Sequence, residues 1–357
     1  MDVTNLDDPT TLPKLDPEGM LDHVAALPQQ CRGAWALTRQ LDLPTRHLHA
    51  NRVLIAGMGG SAIGGDLAAA VVAGTSPVPI LVQRGYDLPA HVDRQTLVIG
   101  SSYSGNTEET LAAFQAAHER GCPLVAVTTG GKLARLAGEW HVPLISFDYH
   151  SQPRAALGYL FVSLLGILRA LDAAGDLEAD LEEALTILDA QGTELACDVP
   201  QDQNWAKQLA VELAGRVPVV VGAGSLAPVA RRWKTQFNEN GKSWAYFEPV
   251  PEMNHNAVSG IHFPAEMAAR MRILFLSNAG LHSRNQLRLD LTRHIFEGRG
   301  IVCHQVPIRG ESPLAQILSA VQTGDYVSCY LALLYCTDPT AIKDIVGLKF
   351  ALHGEME

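Results

Sequence analysis

VLIAGMGGS (residues 53–61) returns as VPVVVGAGS at residues 217–225. Each is a short apolar run that closes on Gly-x-Gly and a serine and leads into a helical pattern. A bounded run rich in branched apolar residues reads as a buried strand. Outward from the first run, PILVQ (79–83), TLVIG (96–100), LVAVT (124–128) and PLISF (143–147) read as further strands. Helical stretches lie between them, from Gly64 to Ala73 and from about Thr107 to Arg120. Strands alternating with helices imply a parallel sheet covered on both faces. A long helical region over roughly 154–192 and a loop at Pro200 lead to the second series. There ILFLSNAG (273–280) echoes LVIGSSYSG (97–105), and the pairs Arg120-Gly121 and Arg299-Gly300 each precede a strand. The pattern is a tandem duplication of one α/β unit. The expected fold is α/β: two three-layer α/β/α domains with mainly parallel sheets, spanning 51–195 and 196–357, behind a helical N-terminal arm at 1–50. In the arm, Asp16-Pro17-Glu18 reads as the start of a helix running to about Leu41, broken near Pro28.

The composition narrows the partners. The 357 residues are 47% hydrophobic and 18% charged, which suits a globular chain with a sizeable core. A net charge of −11 argues against nucleic acid and against an anionic membrane. An anionic substrate would therefore need local donors. The acidic N-terminal stretch lacks the apolar run of a signal peptide. The apolar stretch from Tyr159 to Leu168 is too short to span a bilayer and ends at Arg169. Six cysteines without Cys-x-x-Cys spacing fit reduced thiols in the cytoplasm. No His-Glu-x-x-His occurs among the thirteen histidines, and no metal is expected.

The segment SSYSGNTEET (101–110) sits between a strand and a helix, where open α/β sheets bind ligands. A helix N-terminus offers free N–H groups and partial positive charge. Ser102, Ser104 and Thr107 add hydroxyls, and Gly105 allows close backbone approach, so the segment reads as an anion cradle without a lysine. Glu108 and Glu109 must then point away. The equivalent second-half segment, SNAGLHSRNQ, lacks the Ser-x-Ser-Gly-x-Thr run, so the fold alone does not demand it. The glycine loop Gly57–Ala62 is a weak match to a dinucleotide fingerprint, since the next strand ends in Val82-Gln83-Arg84 without an acid for a ribose. Gly59 and Gly60 bring backbone N–H groups to a small ligand, with Ser61 beside them. Gly241-Lys242-Ser243 resembles the end of a P-loop, but it follows a helix and Gln236 stands where the first glycine belongs.

In the second half, a helix should start near Pro228 and stop at Asn240-Gly241, leaving Glu239 in its last turn. A carboxylate there opposes the helix dipole, which suits either a tolerated surface residue or a base with a raised pKa. The following stretch, Phe247 to Asn256, reads as a proline-stiffened loop carrying His255 between two asparagines. Glu248 and Glu252 compete with Glu239 as the base, and spacing does not separate them.

Taken together, GMGGSAIGGD, SSYSGNTEET, QPRAALGYLF, FNENGK and EPVPEMNHN resemble the bifunctional phosphoglucose/phosphomannose isomerases, which consist of two sugar isomerase (SIS) domains. The resemblance spans about residues 50 to 350. It implies that Gly59, Gly60 and Ser61 line the sugar, and that Ser102, Ser104 and Thr107 hold the phosphate. It implies that Arg154 stabilises an enediolate and that Glu239 carries a proton between carbons 2 and 1. His255, contributed by the other subunit of a homodimer, and Lys349 would assist ring opening, with Lys343 the rival lysine. The implied reaction needs no cofactor and interconverts glucose 6-phosphate and mannose 6-phosphate with fructose 6-phosphate. A sugar-phosphate sensor, or a SIS isomerase for another sugar phosphate, are the alternatives.

Overall fold

Among the described residues, apolar runs bounded by glycine and polar residues form nine parallel strands in two sheets. The structure, a computed structural model, describes residues 5–8, 10, 12–39, 41–278 and 280–354. Residues 1–4 and 355–357, assigned above to the arm and to the second half, lie outside the described residues. The first sheet contains β1 (Arg52–Ala56), β2 (Ile80–Gln83), β3 (Thr96–Ser101), β4 (Leu124–Thr128) and β5 (Leu144–Ser146), in the order β2-β1-β3-β4-β5. The second contains β6 (Val217–Ala223), β7 (Tyr246–Val250), β8 (Met271–Leu276) and β9 (Val302–Val306), in the order β7-β6-β8-β9. The second order repeats the first without its last strand. Both sheets change direction of winding beside their first strand, which opens a crevice at the carboxyl ends of β1 and β3 and of β6 and β8.

The registers put Ala56 of β1 beside Gly100 of β3, and Gly222 of β6 beside Leu276 of β8. The loops leaving β1 and β3 therefore emerge side by side. Strand residues alternate between two apolar layers. Val220 and Leu274 face the core shared with Trp233, Phe237 and the helix Pro313–Leu334. Val219, Val221 and Phe275 face Met253, Leu289 and Phe296 on the other side. The helices Pro153–Ala170 and Pro313–Leu334 are apolar and long enough to cross a membrane. Here they are core helices: 72% and 100% of the tested stretch is buried inside the protein.

Several boundaries differ from the sequence expectation, each for a local reason. The arm is a set of short helices, including Met20–Ala25 and Leu27–Thr38. Gly19, in the left-handed conformation, delays the first of these past Pro17, and Asp16 then accepts from the N–H groups of Met20 (2.8 Å) and Leu21 (2.9 Å). The break falls at Ala26 because Pro28 sits in the first turn of the next helix, where a missing N–H costs nothing. The helix after β1 is Gly59–Val72, so the glycine loop is itself its first turn. The region 154–192 splits into a short 3₁₀ turn, Pro153–Ala156, and the helices Leu157–Ala170 and Glu178–Glu194. Asp172 and Gly175, both with positive φ, make the turn between the two helices. The stretch read as a proline-stiffened loop begins as edge strand β7, with Pro249 opposite Gly222. Edge strands tolerate proline because one side of the backbone needs no partner.

Candidate active site

Ser101 ends β3, and the chain turns through Ser102–Asn106 into the helix Glu108–Glu119. The hydroxyls organise that turn. Ser102, 1% exposed, bonds Thr107 through their hydroxyls (2.9 Å) and accepts from the Gly105 N–H (3.1 Å). Ser104 is exposed and accepts from the Asn106 N–H (3.2 Å). Gly105 has φ +66°, and a Cβ there would stand 1.9 Å from the Gly130 carbonyl oxygen, so the turn closes only with glycine. Thr107 occupies the N-cap position without a side-chain capping bond, so the first turn keeps N–H groups for an anion. Glu108 accepts from the Tyr86 hydroxyl (3.2 Å).

The glycine loop joins this turn to the arginine. Ser61 Oγ accepts from the Tyr103 N–H (3.3 Å). Next to it, a Cβ on Gly60 would lie 3.0 Å from the Pro153 carbonyl oxygen and 3.4 Å from Arg154 Cα. The first turn of Gly59–Val72 thus rests on the 3₁₀ turn carrying Arg154. Gly59, with φ +50°, has open space where a side chain would stand.

Arg154 is 2% exposed, and two of its three guanidinium nitrogens are partnered. Its Nε donates to Asn240 Oδ1 (2.6 Å), and its Nη2 donates to the carbonyls of Pro339 and Thr340 (2.8 Å each). Its own carbonyl accepts from Arg232 Nη2 (3.1 Å), which also donates to buried Asp325 Oδ2 (2.5 Å). Nη1 is buried, has no hydrogen-bond partner among the described residues, and lies 3.6 Å from Glu239 Oε2. Burial pulls the Arg154 guanidinium below its usual range, and Glu239 opposes that shift. A fixed cation with one unpartnered nitrogen, facing a carboxylate, can stabilise negative charge that develops between them.

Glu239 is the last residue of the helix Ala227–Glu239, and its side chain is 26% exposed. It lines a cavity of about 480 Å³ with Lys242, Cys336, Asp338, Ile342 and Lys343. Lys349 is not among the lining residues; it stands exposed on the helix Lys343–Gly354. His255 is exposed in the turn Glu252–His255, beside Met253. Met253 packs on the face of the second sheet that carries Leu289, whereas the helix bearing Glu239 covers the opposite face. Within one chain the fold therefore brings the Ser102–Thr107 turn, the Gly59–Ser61 loop, Arg154 and Glu239 into one contiguous region, and it leaves His255 and Lys349 outside. Of the rival carboxylates, Glu248 sits half-buried on β7, where burial pushes its pKa up, and Glu252 accepts from the Asn256 side chain (2.8 Å); neither lines the Glu239 cavity.

Sequence reasoning missed the supports of Arg154: Asn240, the Pro339–Thr340 carbonyls, and the Arg232–Asp325 pair. One signal was available. Polar residues inside otherwise apolar helical runs, such as Asp325, are buried only with partners. A larger cavity, about 800 Å³, lies away from this region, between Asp66, Ile80, Pro228, Arg231 and Phe247 at the edges of the two sheets.

Comparison with known proteins agrees with the fold. The SIS domain model matches residues 48–145, and the model of the bacterial phospho-glucose isomerase C-terminal SIS domain matches residues 202–352. The chain is thus a tandem SIS-domain protein of the sugar-phosphate isomerase type. A bifunctional phosphoglucose/phosphomannose isomerase of Caldicellulosiruptor bescii is 39% identical over 92% of this chain and 98% of its own length. Another, from Aquifex aeolicus, is 37% identical over 83% of this chain and 89% of its own. This chain belongs to the bifunctional phosphoglucose/phosphomannose isomerase family. A D-glucosamine-6-phosphate 4-epimerase of Sulfolobus acidocaldarius is 33% identical over 58% of this chain and 63% of its own. A hypothetical protein of Thermus thermophilus shares the fold, with a TM-score of 0.76 at 18% identity, over 97% of this chain and 93% of its own.

Proposed function

We propose that this protein interconverts glucose 6-phosphate and mannose 6-phosphate with fructose 6-phosphate through a cis-enediol, without a metal or cofactor. The observation that carries the reading is the buried Arg154, whose unpartnered Nη1 lies 3.6 Å from Glu239, on a turn packed against the glycine loop, which in turn bonds the hydroxyl-lined turn through Ser61 and Tyr103. The phosphate would sit at the N-terminus of Glu108–Glu119, on Ser102, Ser104 and Thr107 and the free N–H groups. Gly59, Gly60 and Ser61 would line the sugar.

In the opened aldose, the Glu239 carboxylate takes the proton from carbon 2. The electron pair left there forms the C1–C2 double bond, and the carbonyl oxygen on carbon 1 becomes an enediolate that Arg154 Nη1 stabilises. Glu239 returns the proton to carbon 1, the oxygen on carbon 1 takes up the proton that the carbon 2 hydroxyl gives up, and the carbonyl re-forms on carbon 2 as a ketose. A general base contributes about 10²- to 10⁴-fold. Accepting two sugars that differ only at carbon 2 requires tolerance at that carbon.

His255 and Lys349 enter this scheme through a homodimer, with His255 of a second copy opening the ring. The helix Lys343–Gly354 supports that assembly, because Val346, Leu348 and Phe350 are exposed along it (58%, 63% and 81%). Uncovered apolar surface of this kind marks an interaction site. Six cysteines that form no disulfide among the described residues suit a cytoplasmic protein.

The test is to incubate EDTA-treated protein with fructose 6-phosphate and follow both aldose products. Both products support the dual reaction, and glucose 6-phosphate alone narrows it to one. Neither product, with binding intact, overturns it in favour of a sensor or another substrate. Conversion of glucosamine 6-phosphate at carbon 4 instead would move the protein toward the epimerase relative.

A further inference from the structure

Lys242 has no role in the chemistry just described, yet it sits at the joint of the site. Its φ of +49° is a conformation that side-chain-bearing residues avoid, and it turns the side chain back over the helix that has just ended. Nζ donates to the carbonyl oxygen of Glu239 (2.5 Å) and to that of Pro339 (3.1 Å). The Pro339 oxygen also accepts from Arg154 Nη2 (2.8 Å). One carbonyl thus joins the arginine to the lysine, and the lysine grips the backbone of the residue that carries the carboxylate. The Glu239 carbonyl is among the last of its helix, where no intrahelical donor is left and a cation is favoured.

We propose that Lys242 is a positioning residue, whose ammonium ties the Glu239 backbone to the Pro339 carbonyl and so holds the carboxylate opposite Arg154. This rests on the reading of Glu239 as the base. The charged and titratable groups around the ammonium are Arg154, Asp338, Cys329 and Glu239, with Cys336, Lys343 and Asp344 on the same cavity wall. Burial first, and Arg154 next, pull the Lys242 pKa down to about 8 from an ordinary 10.5. Loss of the proton turns two charge-assisted bonds into weaker neutral ones and removes a cation from beside Glu239. Turnover should therefore fall as pH rises past about 8.

Stability responds with the opposite sign. Between about 8 and 10.5 the unfolded chain holds the Lys242 proton and the folded chain has released it, so this group's contribution to stability increases with pH. The decline in turnover is then not unfolding.

The experiment measures kcat and KM for fructose 6-phosphate from about pH 6 to about pH 10. It uses the wild-type protein, Lys242→Arg and Lys242→Met, with Glu239→Gln as control. Wild-type kcat should fall through the alkaline range with KM changed by less than about twofold. Lys242→Arg, whose cation does not titrate there, should hold kcat flat across that range. Lys242→Met should lower kcat about 10- to 100-fold at every pH, with KM little changed. An alkaline limb in Lys242→Arg that superimposes on the wild-type limb overturns the proposal, as does wild-type kcat in Lys242→Met. If Lys242→Met fails to fold, the Lys242→Arg profile alone decides. Full activity in Glu239→Gln would remove the base itself. An inactive Glu239→Gln together with an unmoved Lys242→Arg limb would remove only the role of Lys242.

Discussion

The turn after β3 and the turn after β8 hold the same place in two copies of one sheet, and they treat the following helix differently. In the second half, His282 caps the helix Ser283–Glu297 with its own ring, Nδ1 accepting from the Arg284 N–H (3.2 Å). In the first half, Thr107 holds the cap position but spends its hydroxyl on Ser102, and the helix start is left without a side-chain partner. One copy satisfies its N-terminus internally and the other keeps it available. The candidate base of the second half, Glu239, stands at the other pole, on the carboxyl end of Ala227–Glu239. On the function proposed above, divergence after duplication has used opposite ends of the helix dipole, positive for an anion and negative for a base.

This contrast can be broken at either end. The largest effect should come from Glu239→Gln, which keeps the shape and removes the proton carrier. Turnover should drop by about 10²- to 10⁴-fold while calorimetry still detects fructose 6-phosphate binding; near-normal turnover would take the base away from the second half. A smaller effect is expected from Ser104→Ala, which should raise KM several-fold and leave kcat within about threefold, because a phosphate contact acts on ground and transition states alike. An unchanged KM would mean that the first-half turn holds no anion. The smallest is His282→Ala. Loss of a cap should cost about 0.5 to 1 kcal/mol in denaturant unfolding and leave both kinetic constants unchanged; a changed KM would give the second turn a share in binding.

The strands were legible because β1, β3, β4, β6 and β8 are buried on both faces and read as unbroken apolar runs. Strand β7 was not, because Glu248 and Pro249 break the pattern that an edge strand need not keep. The Asp16 start was misplaced because a left-handed Gly19 outweighed the proline signal. Motif reading reached Arg154 and Glu239 singly, and only the fold shows Nη1 and Oε2 facing each other from distant parts of the sequence. The supports at Asn240, Asp325 and Pro339 were hidden for the same reason, and Pro339 acts through its backbone carbonyl, which every residue has. The positions of His255 and Lys349 relative to Glu239 do not follow from one chain's fold, because neither lines the Glu239 cavity.

The helix Glu178–Glu194 carries one last consequence. By sequence it closes the first copy, but its side chains serve the second. Glu183 accepts from the N–H groups of Glu311 (2.6 Å) and Ser312 (3.1 Å) at the head of Pro313–Leu334. Gln191 donates to the Ser319 carbonyl (2.9 Å) and to Gln322 Oε1 (3.1 Å), and Glu194 pairs with Arg309 (2.5 Å). An ancestral unit could once have stood as a gene of its own. Arg154 of the first half in turn bonds Asn240 and the Pro339 carbonyl of the second, so each half now holds polar partners of the other.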